Sequence, residues 1–128
     1  MKKGIKITFA SLVLSLLFVT SLAAQEKAVE DFFVGKWKVM AYGLPQGDTE
    51  MMITFEKKDG KLGGNISTTD GSSEKMEFTK VELEDNSIKA YYTAQGYDVY
   101  FILEKKDNEK AEGSMMDMFD MKGTKIKN

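Results

Sequence analysis

The chain's single tryptophan lies in the segment Phe32-Phe33-Val34-Gly35-Lys36-Trp37-Lys38-Val39-Met40, two residues after a glycine. From Phe33 onward every second residue is apolar or glycine, and Lys36 and Lys38 lie between them. A period of two is typical of a β-strand that buries one of its faces. The segment therefore predicts the first strand of a sheet, beginning at about Phe33.

The same alternation continues to the end of the chain, interrupted by short turn sequences such as Asp59-Gly60 and Gln95-Gly96. Its phase slips once, near Thr79-Lys80, which indicates a β-bulge. The further strands are predicted at 49–56, 61–68, 74–84, 88–94, 97–105, about 111–115 and 120–127. Sequential hairpins without long crossovers favour an all-β fold, a single antiparallel up-and-down barrel of eight strands. A two-sheet sandwich is the alternative.

The first 24 residues have the pattern of a secretory signal peptide. Lys2, Lys3 and Lys6 precede an apolar run, and small residues follow it at Ala23 and Ala24. We therefore predict two segments, a signal peptide over 1–24 and a barrel domain over 25–128, in which 25–31 forms a short helical turn. The predicted location is periplasmic or secreted, with no membrane anchor after cleavage. A retained transmembrane anchor is the alternative, although the apolar run is short for one.

The composition removes several chemistries. The chain has no cysteine and no histidine, so thiol nucleophiles, Cys/His zinc sites and Ser-His-Asp triads are unavailable. All 18 basic residues are lysine, and residues 25–128 carry a net charge of −5. This charge argues against nucleic acid as a partner. The carboxylate pairs lie in turns or on outward faces. We therefore expect a non-enzymatic protein with no catalytic residues, no cofactor and no metal.

The pair Gly35-x-Trp37 at the start of the first strand resembles the lipocalin-like, or calycin, group of barrels. In that group the tryptophan closes the barrel floor, and a basic side chain from the last strand commonly packs over it; here the candidates are Lys125 and Lys127. The second and third motifs of the family are not recognisable, and the chain is short. It is closer to compact lipocalin-like domains of exported bacterial proteins. The resemblance implies binding of a small apolar molecule in the barrel mouth.

A ligand cavity in such a barrel is lined by the inward-facing residues. The predicted ligand-binding residues are Met51, Ile53, Phe55, Tyr92, Val99, Phe101 and Met115. Small residues on the same faces, such as Gly64 and Gly113, leave room for a ligand or instead permit close packing in a filled core. The predicted function is binding of a small apolar or amphipathic molecule inside the barrel.

Two other functions remain open. The run Met115-Met116-Asp117-Met118-Phe119-Asp120-Met121 is rich in thioethers, which are soft ligands for Cu(I), although methionine also serves as adaptable core filler. Convergence of three thioethers needs a turn near Met118-Phe119. The outward tyrosines Tyr91, Tyr97 and Tyr100 offer a platform for a partner protein or a glycan. The alternatives are therefore a periplasmic copper-binding protein and an interaction module with a filled barrel.

Overall fold

A computed structural model of the chain describes residues 23–127. Helix α1 occupies residues 23–33 of this part and is followed by nine strands. The strands are β1 Gly35–Ala41, β2 Thr49–Lys58, β3 Lys61–Thr68, β4 Met76–Glu77, β5 Lys80–Glu84, β6 Ser87–Ala94, β7 Tyr97–Lys105, β8 Lys110–Met115 and β9 Phe119–Lys125. The predicted signal peptide lies outside the described residues except for its last two. In this part of the chain, no helix combines the length and apolarity needed to cross a bilayer.

All nine strands belong to one sheet in the order β4-β3-β2-β1-β9-β8-β7-β6-β5. Every neighbouring pair is antiparallel, and the first and last strands of the chain lie side by side, with Trp37 opposite Lys125. The predicted all-β fold, an antiparallel meander in a single sheet, is confirmed. The sheet curls around a single core and is barrel-like.

The predicted count of eight strands is wrong, because the predicted strand over 74–84 is divided. β4 pairs with β3, whereas β5 pairs with β6. The two residues between them link both partners, since Phe78 N donates to Gly64 O and Thr79 N donates to Tyr91 O, at 2.9 and 2.8 Å. The phase slip thus marks the point where the chain crosses from one edge of the curled sheet to the other.

The first strand begins two residues later than predicted, because α1 extends to Phe33. Val29, Phe32 and Phe33 have the i, i+3, i+4 spacing of one helical face, and all three are buried. Phe33 also fits the alternation of β1, which hid the helical assignment. Gly35, with φ of 132°, separates the two elements in a backbone conformation that side-chain-bearing residues rarely adopt.

The meander gives the molecule two different ends. The helix end consists of α1 and the turns at 59–60, 85–86 and 106–109. The open end consists of the loops at 42–48 and 69–75 and the turns at 95–96 and 116–118. The core between them is apolar, and no buried polar or charged residue occurs among residues 23–127.

Close backbone packing explains the glycines that face inward. A Cβ built on Gly64 collides with the carbonyl oxygen of Thr54, and one built on Gly113 collides with that of Ile102. These two glycines therefore allow neighbouring strands to approach in a tightly curled sheet. The sequence left open whether these glycines make room for a ligand or permit close packing, and the structure supports close packing.

Candidate functional site

The helix end is closed by an aromatic cluster around Trp37. The indole is fully buried, and its Nε1 donates a hydrogen bond to the carbonyl oxygen of Phe33 at 2.9 Å. The rings of Phe32 and Phe33 lie 5.2 and 5.8 Å from the indole. Trp37 thus closes the helix end of the interior, the position that the resemblance to lipocalin-like barrels implies, and joins the end of α1 to β1.

Lys125 is the predicted basic partner of this tryptophan. Its Nζ lies 5.9 Å from the indole centroid and 5.7 Å from that of Phe32, and it donates to the carbonyl oxygen of Phe32 at 2.6 Å. Its Cε lies 3.2 Å from the point where a Cβ on Gly35 would stand, so the glycine makes space for the lysine. Burial lowers the pKa of Lys125. The other candidate, Lys127, instead pairs with Glu109.

Aromatic rings fill the middle of the interior. Phe78 lies 5.5 Å from Phe55, 5.6 Å from Phe101 and 6.1 Å from Tyr92, measured between ring centroids. Rings at these separations are in mutual contact, and their tilted or edge-on arrangements are favourable ones. Phe78 lies in the crossing between β4 and β5, so the divided strand supplies a central piece of the core.

The structure divides the seven predicted ligand-binding residues into two groups. Ile53, Phe55 and Phe101 are at most 1% exposed and belong to the filled middle. Nearer the open end, Met51 and Tyr92 are 5% exposed, Met115 is 7% exposed and Val99 is half-buried. All seven pack in or against the core. Their contact with a ligand stays a prediction, and four of them lie where the interior begins to be accessible.

Tyr92 brings a polar group to this accessible part. Among residues 23–127 its hydroxyl has no hydrogen-bond partner, and burial alone raises its pKa to about 12. Every fully enclosed side-chain nitrogen or oxygen in the same part of the chain is hydrogen-bonded. The Tyr92 hydroxyl therefore reaches the edge of the interior as a protonated group, free to bond to a ligand.

Further apolar side chains surround this region. Half-buried residues pack against the core at the open end: Leu44, Met76, Ala94, Met116 and Phe119. Tyr97 and Met118 are 75% and 69% exposed in the adjoining turns, and Tyr42 begins the first loop. Sequence reasoning missed Leu44, Met76 and Phe119 as candidates. The inward phase of Met76 was visible, but the division of its strand obscured the position that it occupies.

Two surface clefts of about 450 Å³ lie elsewhere. One is at the helix end, between α1, the turn at 85–86 and Lys105. The other runs along the outside of β8 and β9, beside Tyr42. Neither is lined by a predicted ligand-binding residue, and charged side chains contribute to the walls of both.

The methionine run does not gather its thioethers on one face. The turn covers residues 116–118, next to the expected Met118-Phe119, and Met116 and Asp117 have positive φ. Met115 and Met121 are buried, whereas Met118 is exposed and Met116 Sδ accepts a hydrogen bond from Tyr100 N at 3.4 Å. In the described residues no group of three or more His, Cys, Asp or Glu side chains is arranged to hold a metal. This placement gives copper binding no support.

Two of the predicted outward tyrosines form a cluster on β6 and β7. The rings of Tyr91 and Tyr100 are 6.2 Å apart, and Lys89 Nζ lies 5.1 and 4.7 Å from their centroids. The Tyr100 hydroxyl donates to Asp117 at 2.5 Å, a hydrogen bond that raises the pKa of Tyr100. Tyr97 lies apart from this pair, at the open end.

Solved structures of two redesigned β-barrels resemble this chain. One is mFAP1 bound to DFHBI, with a TM-score of 0.51 and 14% identity over 77% of this chain and 98% of that chain. The other is b11L5F_LGL, with a TM-score of 0.50 and 16% identity over 78% of this chain and 96% of that chain. The chain has a barrel-like fold. No protein-family model and no curated protein matches the sequence. At these identities the likeness concerns the fold alone.

Proposed function

We propose that the protein is an exported, non-enzymatic binding protein with a lipocalin-like barrel, and that it holds a small apolar or amphipathic molecule at the open end. One observation carries the proposal: the exposure of the inward-facing residues rises from the filled middle toward Met51, Tyr92, Val99 and Met115. The ligand contacts these four residues and rests on the half-buried ring of Phe78. The enclosed residues Ile53, Phe55 and Phe101 support the site from the filled middle.

Composition and fold support the proposal. The chain lacks histidine and cysteine, and the apolar surroundings of the open end suit binding by burial, at about 25 cal/mol per Å² of apolar area. The redesigned barrel mFAP1, which is similar in fold, is described as bound to the small molecule DFHBI. Export to the periplasm or the medium rests on the predicted signal peptide.

A neutral apolar dye tests the proposal. N-phenyl-1-naphthylamine becomes fluorescent in apolar surroundings, and we expect saturable binding to the purified protein. Ala94→Phe adds a ring at the open end and should weaken binding at least tenfold. Thr93→Phe is the matched control, because it adds the same ring one residue earlier, on the outer face of β6. Equal affinity of both variants, or no saturable binding to the native chain, would overturn the proposal. Trp37 is a poor reporter, because it lies at the other end.

A second candidate function is supported by the Tyr91–Tyr100–Lys89 cluster. Aromatic rings and a cation on an outer sheet face are typical of surfaces that contact proteins or glycans. All three side chains are half-buried and engage one another. A glycan array probed with the native chain and with Tyr91→Ser tests it, and binding that survives the substitution counts against this surface.

A further inference from the structure

Charge is distributed unevenly between the two ends. We define the rim as residues 42–50, 69–76, 93–98 and 116–120, which surround the open end. The rim contains seven carboxylates and one lysine, Lys75. The carboxylates are Asp48, Glu50, Asp70, Glu74, Asp98, Asp117 and Asp120. The segments of the helix end (23–36, 56–62, 83–88, 104–110 and 125–127) contain ten acidic and ten basic residues. The negative charge of the domain is therefore concentrated around the opening of the interior.

The carboxylates of the rim are not neutralised by lysines. Within residues 23–127 the ion pairs are Lys57–Glu30, Lys80–Glu82, Lys106–Glu104 and Lys127–Glu109, all outside the rim. Rim carboxylates instead accept hydrogen bonds from neutral donors. Gly43 N donates to Asp48, Thr69 Oγ1 to Glu50 and Tyr100 Oη to Asp117.

Such neutral donors stabilise the ionised form of a carboxylate. Hydrogen bonds from Ser72 hold the pKa of Asp70 below its usual value. Asp70 therefore stays negatively charged further into the acidic range than an unperturbed aspartate. A group of like charges around an apolar opening attracts ligands of the opposite charge and repels those of the same charge.

An independent observation points to a ligand at the same place. The Tyr92 side chain is 95% buried, and its hydroxyl has no partner among the described residues. The hydroxyl itself is not fully enclosed, because every fully enclosed side-chain nitrogen or oxygen in residues 23–127 is hydrogen-bonded, so a ligand at the open end can reach it. Tyr97 and Met118, both largely exposed, add an aromatic ring and a thioether to the rim. Aromatic faces and polarisable sulfur are favourable neighbours for an organic cation.

We infer that the ligand of the open end is an amphipathic cation, with an apolar part in the interior and a positively charged head group at the rim. This inference rests on the proposed function and names the class of ligand. The apolar part contacts Met51, Val99 and Met115. The head group lies among the rim carboxylates, where an anionic head group would meet repulsion from seven like charges.

Three amphiphiles with the same twelve-carbon chain test the inference by displacement of N-phenyl-1-naphthylamine. They are dodecyltrimethylammonium, dodecyl maltoside and dodecanoate, each used below its micelle-forming concentration. We expect the cation to bind at least tenfold more tightly than dodecanoate at low ionic strength, with the neutral maltoside between them. The difference should shrink at high salt, because the rim is exposed to solvent. Equal affinities for all three overturn the charge inference and leave the proposed function intact, whereas failure of the dye and of all three amphiphiles overturns both.

A matched pair of triple variants locates the effect. Glu74→Gln, Asp98→Asn and Asp120→Asn together remove three rim charges. Glu26→Gln, Glu56→Gln and Glu84→Gln remove three at the helix end. The rim variant should bind dodecyltrimethylammonium about fivefold more weakly, the scale expected for three exposed charges, and the maltoside unchanged. The helix-end variant should match the native chain. Equal weakening by both variants, or no weakening by the rim variant, contradicts the inference.

Discussion

Lys125 Nζ donates a hydrogen bond of 2.6 Å to the carbonyl oxygen of Phe32, a residue 93 positions earlier in the chain. The contact joins the last strand to the last turn of α1, where unsatisfied carbonyl groups carry partial negative charge. Together with the Trp37–Phe33 hydrogen bond it holds α1 across one end of the curled sheet. The accessible part of the interior then lies at the opposite end, which is where the proposed ligand enters.

Replacement of Lys125 by methionine should destabilise the protein by about 1–3 kcal/mol, because it removes a charge-assisted hydrogen bond and two cation–π contacts. Lys127→Met is the matched control. It removes an exposed ion pair with Glu109 and should cost less than about 1 kcal/mol. Urea unfolding followed by Trp37 fluorescence measures both. Equal losses would mean that Lys125 acts only as a surface charge.

Two glycine-to-alanine substitutions in strands test how closely neighbouring strands approach each other in the curled sheet. Gly113→Ala should destabilise the chain by more than about 2 kcal/mol, because the new Cβ collides with the carbonyl oxygen of Ile102 and the strands must separate. Gly63→Ala is the control, because its Cβ has no heavy atom within 4 Å. Thermal unfolding compares the two. A Gly113→Ala variant as stable as the control would contradict the close approach of β7 and β8.

Tyr92 predicts a pH dependence of stability. Its folded pKa is about 12, above the usual value of 10.0, because burial disfavours the phenolate. The stabilisation linked to this shift is complete below about pH 10 and is lost as the pH rises to about 12. It amounts to about 2–3 kcal/mol. Tyr92→Phe has no phenol to titrate and so lacks this stabilisation. Between pH 9 and pH 12 the free energy of unfolding of the native chain should therefore fall by about 2–3 kcal/mol more than that of the variant. Parallel losses in the two proteins would show that the hydroxyl is solvated.

Much of the sheet was predictable, because the alternation of apolar and polar residues is a direct sign of a strand with one buried face. The Asp59-Gly60 turn followed from a local pattern that the structure contains. Lys125 was one of two candidates, with Lys127, that the resemblance to lipocalin-like barrels implied as the partner of Trp37, and it is the one that lies opposite Trp37. The sequence did not reveal that α1 reaches Phe33, because one turn of apolar residues fits a strand equally well. The division at Phe78 and Thr79 was also hidden, since only the curl of the whole sheet decides which edge a residue joins.

For the site, the sequence predicted which side chains face inward but not how deeply each is enclosed. Ile53 and Met51 have the same phase on the same strand, yet the first lies in the filled middle and the second near the opening. That difference depends on the helix at one end and on the ring of Phe78 in the middle. Charge clustering around the rim was equally invisible in the linear sequence, because its carboxylates come from four separate segments.

Methyl NMR of methionine-labelled protein during titration with N-phenyl-1-naphthylamine tests the central claim most directly. Methionines lie on both faces of the sheet, so the chain carries its own internal controls. We expect the methyl resonances of Met51 and Met115 at the open end to shift saturably, and those of Met40 and Met52 on the outer face of β1 and β2 to remain in place. Saturable shifts confined to Met40 and Met52, with Met51 and Met115 unchanged, would contradict a ligand site in the open end.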